Sequence, residues 1–458
     1  MGAATSVRRL LDFPSRGRVP ILMRTLCVFG VWLWLILGGG VQAAPGGSAL
    51  ERMERPPAGW QGPKFTPHFA YPARAKEEVR PWEALSFRKA PEAYLRALLA
   101  YALEGQDRVD WRLQANKVRG WYHVPWLGPG PNGREFSHGL TRARDLQAGE
   151  LGPQQKGCRQ TWVVAFYNPA GGAVLGRVWR NVARGRGAPD LSALPFPVGT
   201  VAVKLVFTNA DARDDMRLTG APEIVANIHR DDAPGDGACA GAVDASGKPA
   251  ARAPTTLRLV QFDVAVREGR ARYKTGWVYG SFLFDGRKAG ADPWAKLAPI
   301  GLMWGNDPQL SDAAFAEGDR PRQSIVFAGH PYGRAGRMNG IADARSSACS
   351  SCHMAAQWPS VAPIQAPAEW QEARCWFRNL DATYPFGFSP TSKQGCANTK
   401  ALAKTQSLDF SLQLAIGLRN WSMARAKEGH AIRTTLGALK RDGETLTVNG
   451  ETSLPLRR

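Results

Sequence analysis

From residue 160 to residue 285 one apolar, β-rich run follows another, and the run from Thr200 to Phe207 alternates apolar with small or polar positions, which is the pattern of strands. We expect a hairpin around Glu268-Gly269 between the last two of these strands. No helical period separates them, so the pattern predicts an antiparallel sheet, as a sandwich or a barrel. The predicted strands are Thr161 to Tyr167, Ala173 to Val182, Thr200 to Phe207, Glu223 to His229, Leu257 to Val266 and Arg272 to Phe284.

Helical patterns lie on both sides of this region. The first runs from Pro91 to Glu104, where Pro91 suits the first turn and Gly105 suits a C-terminal stop. Two more, Glu369 to Leu380 and Leu408 to Lys427, follow late in the chain. The fold class predicted is therefore α+β, with a β-rich central domain followed by a mainly helical region. We expect an extended arm over residues 44–90, a helix plus β-rich domain over 91–285 and the helical region over 286–458.

The N-terminus has the pattern of a secretory signal peptide. Arg24 is followed by an apolar run from Leu26 to Leu37 and then by small residues up to Ala43. The run is shorter than the roughly 20 residues that a membrane span needs. We therefore expect residues 1–43 to be removed near Ala43 and the mature protein to be periplasmic, with an uncleaved anchor helix as the alternative. The residues before Met23 form either an extended basic region or a misassigned start.

One short motif indicates a cofactor. Cys349-Ser350-Ser351-Cys352-His353 places two thiols three positions apart and an imidazole directly after them, which is the attachment pattern of a covalently bound haem. A structural zinc site would normally need a second matching pair of ligands. A thioredoxin-like dithiol would need a strand–helix setting, whereas mostly loop is predicted before Cys349.

The residues from Ser347 to His353 resemble the haem-attachment site of the c-type cytochromes. The resemblance covers only this motif and its immediate flanks. It implies one covalent haem c with its iron, Cys349 and Cys352 as the thioether cysteines, His353 as the proximal iron ligand, and a role in electron transfer. The chain departs from small soluble cytochromes c because its motif comes late, after a large β-rich region.

The ligand on the opposite side of the iron stays open at this point. Methionine would favour electron transfer, whereas an empty position would permit chemistry on the iron. The candidates are Met303, in a turn-rich segment, and Met423, on a predicted helix after the motif. Met354 adjoins the proximal histidine and cannot reach the other face. Weaker candidates are Met338, His330 and His430.

The net charge and the cysteines indicate which partners and which disulfides to expect. The formal net charge is +20, which favours acidic redox partners or peripheral association with an anionic membrane surface. The arginines are scattered rather than clustered on one helix, so nucleic acid is not expected as a partner. Four cysteines lie outside both the leader and the motif. In an oxidising compartment they are expected to pair as Cys158–Cys239 and Cys375–Cys396, with unpaired buried thiols as the alternative.

Three functions remain open on the sequence. The first is a periplasmic electron carrier, and the second is a haem-dependent oxidoreductase whose aromatic loops over residues 111–140 form a substrate pocket. The third is a ligand-binding sensor with the haem as a switch. His123 and His138 lie in those loops, but neither has metal-ligand spacing to a partner, so a structural role is expected. No catalytic residue is assigned, since the sequence shows neither a nucleophile triad nor a phosphate-binding glycine loop.

Overall fold

A computed structural model gives the fold of most of the central chain. It describes residues 58–62, 67–106, 112–127, 139–230, 251–271, 275–327, 332–359, 376–380 and 405–427, and the backbone of 129–130, 133–134, 447–448 and 451–452. These residues belong to one unit, Pro45–Arg458. The expected signal peptide lies outside the described residues. Among the residues that the structure describes, we find no helix with the length and apolar character of a membrane span.

The centre of the fold is an antiparallel sheet of eight strands. The strands are β3 (Thr141–Arg142), β4 (Thr161–Tyr167), β5 (Val201–Thr208), β6 (Glu223–His229), β7 (Arg252–Arg267), β8 (Trp277–Phe284), β9 (Leu297–Met303) and β10 (Ser324–Val326). Their order is β10-β9-β8-β7-β5-β4-β3, and β6 pairs with the first part of β7. The strands thus form a single sheet with two ends, where we expected a sandwich or barrel, because helices rather than a second sheet pack on it. The hairpin of β7 and β8 is confirmed.

In the part of the chain that the structure describes, six α-helices and three short strand pairs accompany the sheet. The helices are α1 (Pro91–Leu103), α2 (Pro169–Val178), α3 (Arg180–Ala183), α4 (Asp312–Ala316), α5 (Cys349–Met354) and α6 (Leu412–Lys427). The short pairs are β1 (Pro129–Gly130) with β2 (Gly133–Arg134), β11 (Gln357–Trp358) with β12 (Gln406–Ser407), and β13 (Thr447–Val448) with β14 (Glu451–Thr452). The expected helix from Leu408 is confirmed with a later start, whereas most of Glu369 to Leu380 lies outside the described residues.

Helix α1 covers one face of the sheet. Its Leu95 and Leu98 are fully buried and belong to the same core as Val203 and Leu205 of β5. The helix approaches β8 so closely that a Cβ on Gly280 would lie 2.1 Å from Leu95 Cδ2, so a larger residue here would force Leu95 to move. Apolar residues at helical spacing therefore pair with the apolar alternation of the strands, and the predicted helix is confirmed.

The predicted strand over Ala173 to Val182 is wrong, since these residues form helices α2 and α3. Asn168 caps α2 by accepting a hydrogen bond from the Gly171 N–H at 3.2 Å, and Pro169 occupies the first turn. The Asn-Pro pair that ends β4 therefore also starts a helix. Because α2 is buried on nearly all sides, its sequence is apolar without a helical stripe, which made it look like a buried strand.

The opposite face of the sheet packs against α2, α5 and α6 in a second core. Strands β9 and β10 follow residue 285 in the chain but pair onto β8, so the expected domain boundary at that residue does not coincide with an edge of the sheet. Between residues 67 and 90 the only regular element is a 3-10 helix, Pro81–Ala84, in the part of the arm that is described.

The structure bears on the cysteines only in part. Cys158 is disulfide-bonded, and Cys349 and Cys352 are free thiols. Cys239, Cys375 and Cys396 lie outside the described residues, so the pairings Cys158–Cys239 and Cys375–Cys396 stay predictions.

Candidate cofactor site

The cysteine–histidine motif forms the one-and-a-half-turn helix α5. On an α-helix, positions separated by three and four residues lie on the same face. Cys349, Cys352 and His353 are therefore presented together, while Ser350 and Ser351 are fully buried on the other side. The spacing in the sequence becomes a single face that carries two thiols and an imidazole.

The start of α5 and the loop before it are held by their surroundings. The Ser351 hydroxyl oxygen accepts a hydrogen bond from the Ala348 N–H at 2.9 Å, which fixes the first turn. The Ser350 N–H, one of the donors that a helix start leaves without an intrahelical acceptor, donates to Met303 Sδ at 3.4 Å. The preceding loop is fixed by Asn339, whose side-chain amide donates to the Ala344 carbonyl at 2.7 Å.

The His353 ring has a defined orientation. Its Nδ1 lies 2.8 Å from the Phe410 carbonyl oxygen, and its ring centroid lies 4.9 Å from that of Tyr279. Because a carbonyl can only accept, Nδ1 carries the proton and Nε2 is the unprotonated nitrogen. Burial lowers the pKa of His353 to about 4, although the Phe410 carbonyl acts in the opposite direction. The imidazole is therefore neutral at pH 7, the form that ligates metals.

This face of α5 opens into a large cavity over the sheet. Its empty volume is about 1280 Å³ with open solvent included. Both motif cysteines and His353 line the cavity, and α6 contributes Leu412 and Ile416. The three motif side chains therefore face one cavity between the sheet and α6.

Small side chains form the sheet side of the cavity. Ala202 of β5 lies opposite Ala265 of β7, and Ala165 of β4 lies opposite Lys204. All four residues line the cavity. Alanine at three neighbouring strand positions leaves the flat, apolar surface on which a planar ring can lie. The Tyr279 hydroxyl, also at the cavity wall, is buried and has no hydrogen-bond partner among the described residues, so this part of the wall holds an unused donor.

The two thiols are uncharged at neutral pH. Burial raises the pKa of Cys349 well above its ordinary value, and Asp343 and Asp263 raise it further. Burial also raises the pKa of Cys352 to about 12, although the Ser347 hydroxyl, 3.1 Å from Cys352 Sγ, opposes the shift. Inert buried thiols of this kind do not match a reactive dithiol, which would need lowered pKa values.

Neither expected methionine is brought to this cavity. Met303 is fully buried with its sulfur against the start of α5, and Met423 is 42% exposed on α6. Met338 contacts Cys349, with the two sulfurs 3.9 Å apart, but does not line the cavity, and His330 and His430 lie outside the described residues. Within the described ranges there is also no group of three or more His, Cys, Asp and Glu that could hold a metal ion.

The aromatic loops over residues 111–140 contribute little to the cavity in the part that is described. Leu127 and Gly139 line it, whereas Trp121 is buried in the core that contains α1. His123 is buried, and its Nδ1 lies 3.4 Å from the His68 backbone nitrogen. His138 lies outside the described residues.

Sequence reasoning missed the polar part of the cavity wall. Lys204 and Asp263 lie side by side on β5 and β7, and Asp343 reaches them from the loop before the motif. It also missed Asp409, which is buried beside the carbonyl that orients His353. A signal did exist, because Lys204 is the only charged residue of β5 and Asp263 is the only acidic residue of β7. Comparison of the chain with protein-family models, with curated proteins and with solved structures found no match.

Proposed function

We propose that this protein is a periplasmic monohaem c-type cytochrome that transfers electrons through a covalently bound haem. Cys349 and Cys352 would hold the porphyrin and His353 would ligate the iron. The observation that carries this proposal is that one helical face presents all three side chains to one cavity. A bound haem would supply one-electron redox chemistry, and the chain would position it and exclude water.

The orientation of the imidazole supports ligation. Metal-ligating histidines generally donate their other ring N–H to a carbonyl or carboxylate, which fixes the tautomer. His353 makes this bond through Nδ1 to the Phe410 carbonyl and so reserves Nε2 for iron. The alanines of the sheet face give the ring an apolar surface, and the Tyr279 hydroxyl is available to a polar edge of the group.

Three features support an exported protein. The leader has the order of a secretory signal peptide, and covalent haem attachment occurs outside the bacterial cytoplasm. The disulfide of Cys158 is also typical of an oxidising compartment. Export and haem attachment are thus proposed on independent residues.

A second candidate is a haem-dependent oxidoreductase with an open iron position. It is favoured by the lining of the cavity, where the described residues include no methionine and no histidine besides His353. An iron without a strong sixth ligand can bind small molecules. The absorption spectrum with and without carbon monoxide separates the two candidates. A large shift supports the oxidoreductase, and an unchanged spectrum with a methionine–iron charge-transfer band supports the carrier.

Covalent haem staining of the purified, exported protein tests the shared part of both candidates. Cys352→Ala should abolish normal two-point attachment, and His353→Ala should abolish the native iron ligation seen in the absorption spectrum. Ser350→Ala is the matched control, because this residue lies on the same helix turn but does not line the cavity. Wild-type protein without haem stain, or a His353→Ala variant with an unchanged spectrum, would refute the proposal.

A further inference from the structure

A half-buried cluster of three charged side chains lies in the wall of the same cavity. Lys204 Nζ is 2.7 Å from Asp263 Oδ2 and 3.4 Å from Asp343 Oδ1. All three residues line the cavity together with Cys349, Cys352 and His353. The proposed function makes no use of these charges.

The cluster is held rigidly by uncharged neighbours. The Gln261 side-chain amide donates to Asp343 at 2.9 Å and to both oxygens of Asp263 at 2.8 Å. The Ser281 hydroxyl donates to Asp263 at 2.6 Å, and the Gly340 N–H donates to Asp343 at 3.2 Å. The carboxyl groups thus accept several bonds that favour their charged form.

The cluster contains one basic and two acidic groups, so its net charge is negative when all three are ionised. Burial alone would lower the pKa of Lys204, but Asp263 and Asp343 outweigh burial and raise it, so the ammonium stays charged. Burial raises the pKa of Asp343, but Lys204 and Gln261 reverse this and lower it. Burial raises the pKa of Asp263, with Asp343 adding to the rise and Lys204 opposing it. When all three groups are ionised, one carboxylate is balanced by the ammonium and the other is not.

The field of this cluster reaches the attachment helix. After burial, Asp343 and Asp263 are the next largest influences that raise the pKa of Cys349, while Lys204 lowers it. Inside a protein the effective dielectric constant is far below that of water, so such charges act strongly on any neighbouring charge that changes.

We propose that Lys204, Asp263 and Asp343 set the midpoint potential of the haem attached beside them, with their net negative charge favouring the oxidised iron. This inference rests on the proposed function. Oxidation removes one electron from the iron and adds one positive charge, and a one-electron partner protein takes up that electron. A negative cluster stabilises the more positive state and so lowers the potential. The other charged or titratable cavity residues are Arg144, Tyr279, Cys349, Cys352 and His353.

Potentiometric titration of haem-loaded variants at pH 8 tests the sign of this effect. Lys204→Gln makes the cluster more negative and should lower the midpoint potential. Asp343→Asn makes it less negative and should raise the potential, and the double variant with Asp263→Asn should raise it further. Lys204→Arg keeps the charge and should stay close to wild type. Asp312→Asn is the control, because Asp312 is exposed, pairs with Arg334 and lies outside the cavity.

If the three residues only stabilised the fold, the midpoint potentials of the variants would not rise and fall with the charge of the cluster. Variants that carry haem but shift in the same direction, or do not shift, would overturn the inference and leave the proposed function standing. Absence of covalent haem from the wild-type protein would instead refute the proposed function. If Asp343→Asn does not fold, Asp263→Asn alone makes the same change of charge and should give the same upward shift.

Discussion

Replacing Asp409 by asparagine should destabilise the protein far more than an ordinary loss of an ion pair. The Asp409 side chain is 1% exposed. It accepts the Phe196 N–H at 2.7 Å and the Trp277 indole N–H at 2.8 Å, and it lies 3.7 Å from Arg267 Nε. The Asp409→Asn change keeps the volume but removes the charge and places an N–H₂ group where donors already converge.

The size of the effect follows from burial. Removing one partner of a buried charge pair costs roughly 3–5 kcal/mol, because the other charge stays buried without compensation. An exposed pair contributes roughly 0–1 kcal/mol. Asp312, whose side chain is 54% exposed beside Arg334, provides that comparison within the same chain. We therefore expect the free energy of unfolding to fall by about 2 kcal/mol or more beyond the fall for Asp312→Asn.

The change should also reach the cofactor site. Asp409 and Phe410 have φ values of 49° and 64°, a backbone region that residues other than glycine adopt only when their surroundings enforce it. The Phe410 carbonyl orients His353, so release of this backbone should reduce the fraction of protein that carries haem. Urea unfolding and the ratio of haem to protein absorbance measure the two effects. Equal unfolding free energies for the Asp409 and Asp312 variants would refute the reasoning.

Two more predictions concern the cavity and pH. Ala265→Phe should fill the sheet side of the cavity and lower the ratio of haem to protein absorbance while the protein stays folded. Ala313→Phe, on the exposed part of α4, should leave this ratio unchanged. Equal haem content in the two variants would contradict the proposed cavity. Burial, Arg252 and Arg142 lower the pKa of His229 from 6.5 to about 3, so stability from this group is present above pH 6.5 and is lost as pH falls toward 3. Between pH 7 and pH 5 this group should remove about 2 kcal/mol from the free energy of unfolding. His229→Gln should lose less over that range in urea unfolding, and an identical loss would contradict the assignment.

Local sequence patterns determined most of the secondary structure. The strand Glu223–His229 has the residues predicted for it, and the helix from Pro91 ends one residue before its expected end. The hydrophobic periodicity and the start and stop residues of these elements lie within the segments themselves, so the elements can be recognised without knowing their tertiary contacts. The run from Ala173 to Val182 failed because its period is hidden by burial on nearly all sides.

The motif determined which residues would meet at the candidate site. Cys349, Cys352 and His353 share a face because helical geometry converts their spacing directly into position. No tertiary contact is needed for that step. The chemistry of the three side chains then predicts a haem, and this stays a prediction until the haem stain is done.

Only the tertiary structure decided what surrounds that face. Lys204, Asp263 and Asp343 meet because the register of β5 and β7 and the path of one loop bring together positions up to 139 residues apart. Asp409 and Phe410 reach His353 from the start of another helix, more than 50 residues along the chain. The sequence shows which side chains are apolar or charged, but contacts between distant segments depend on strand pairing and packing. The sequence therefore determined that Cys349, Cys352 and His353 share one helical face, and the fold decided the cavity and the charged residues beside that face.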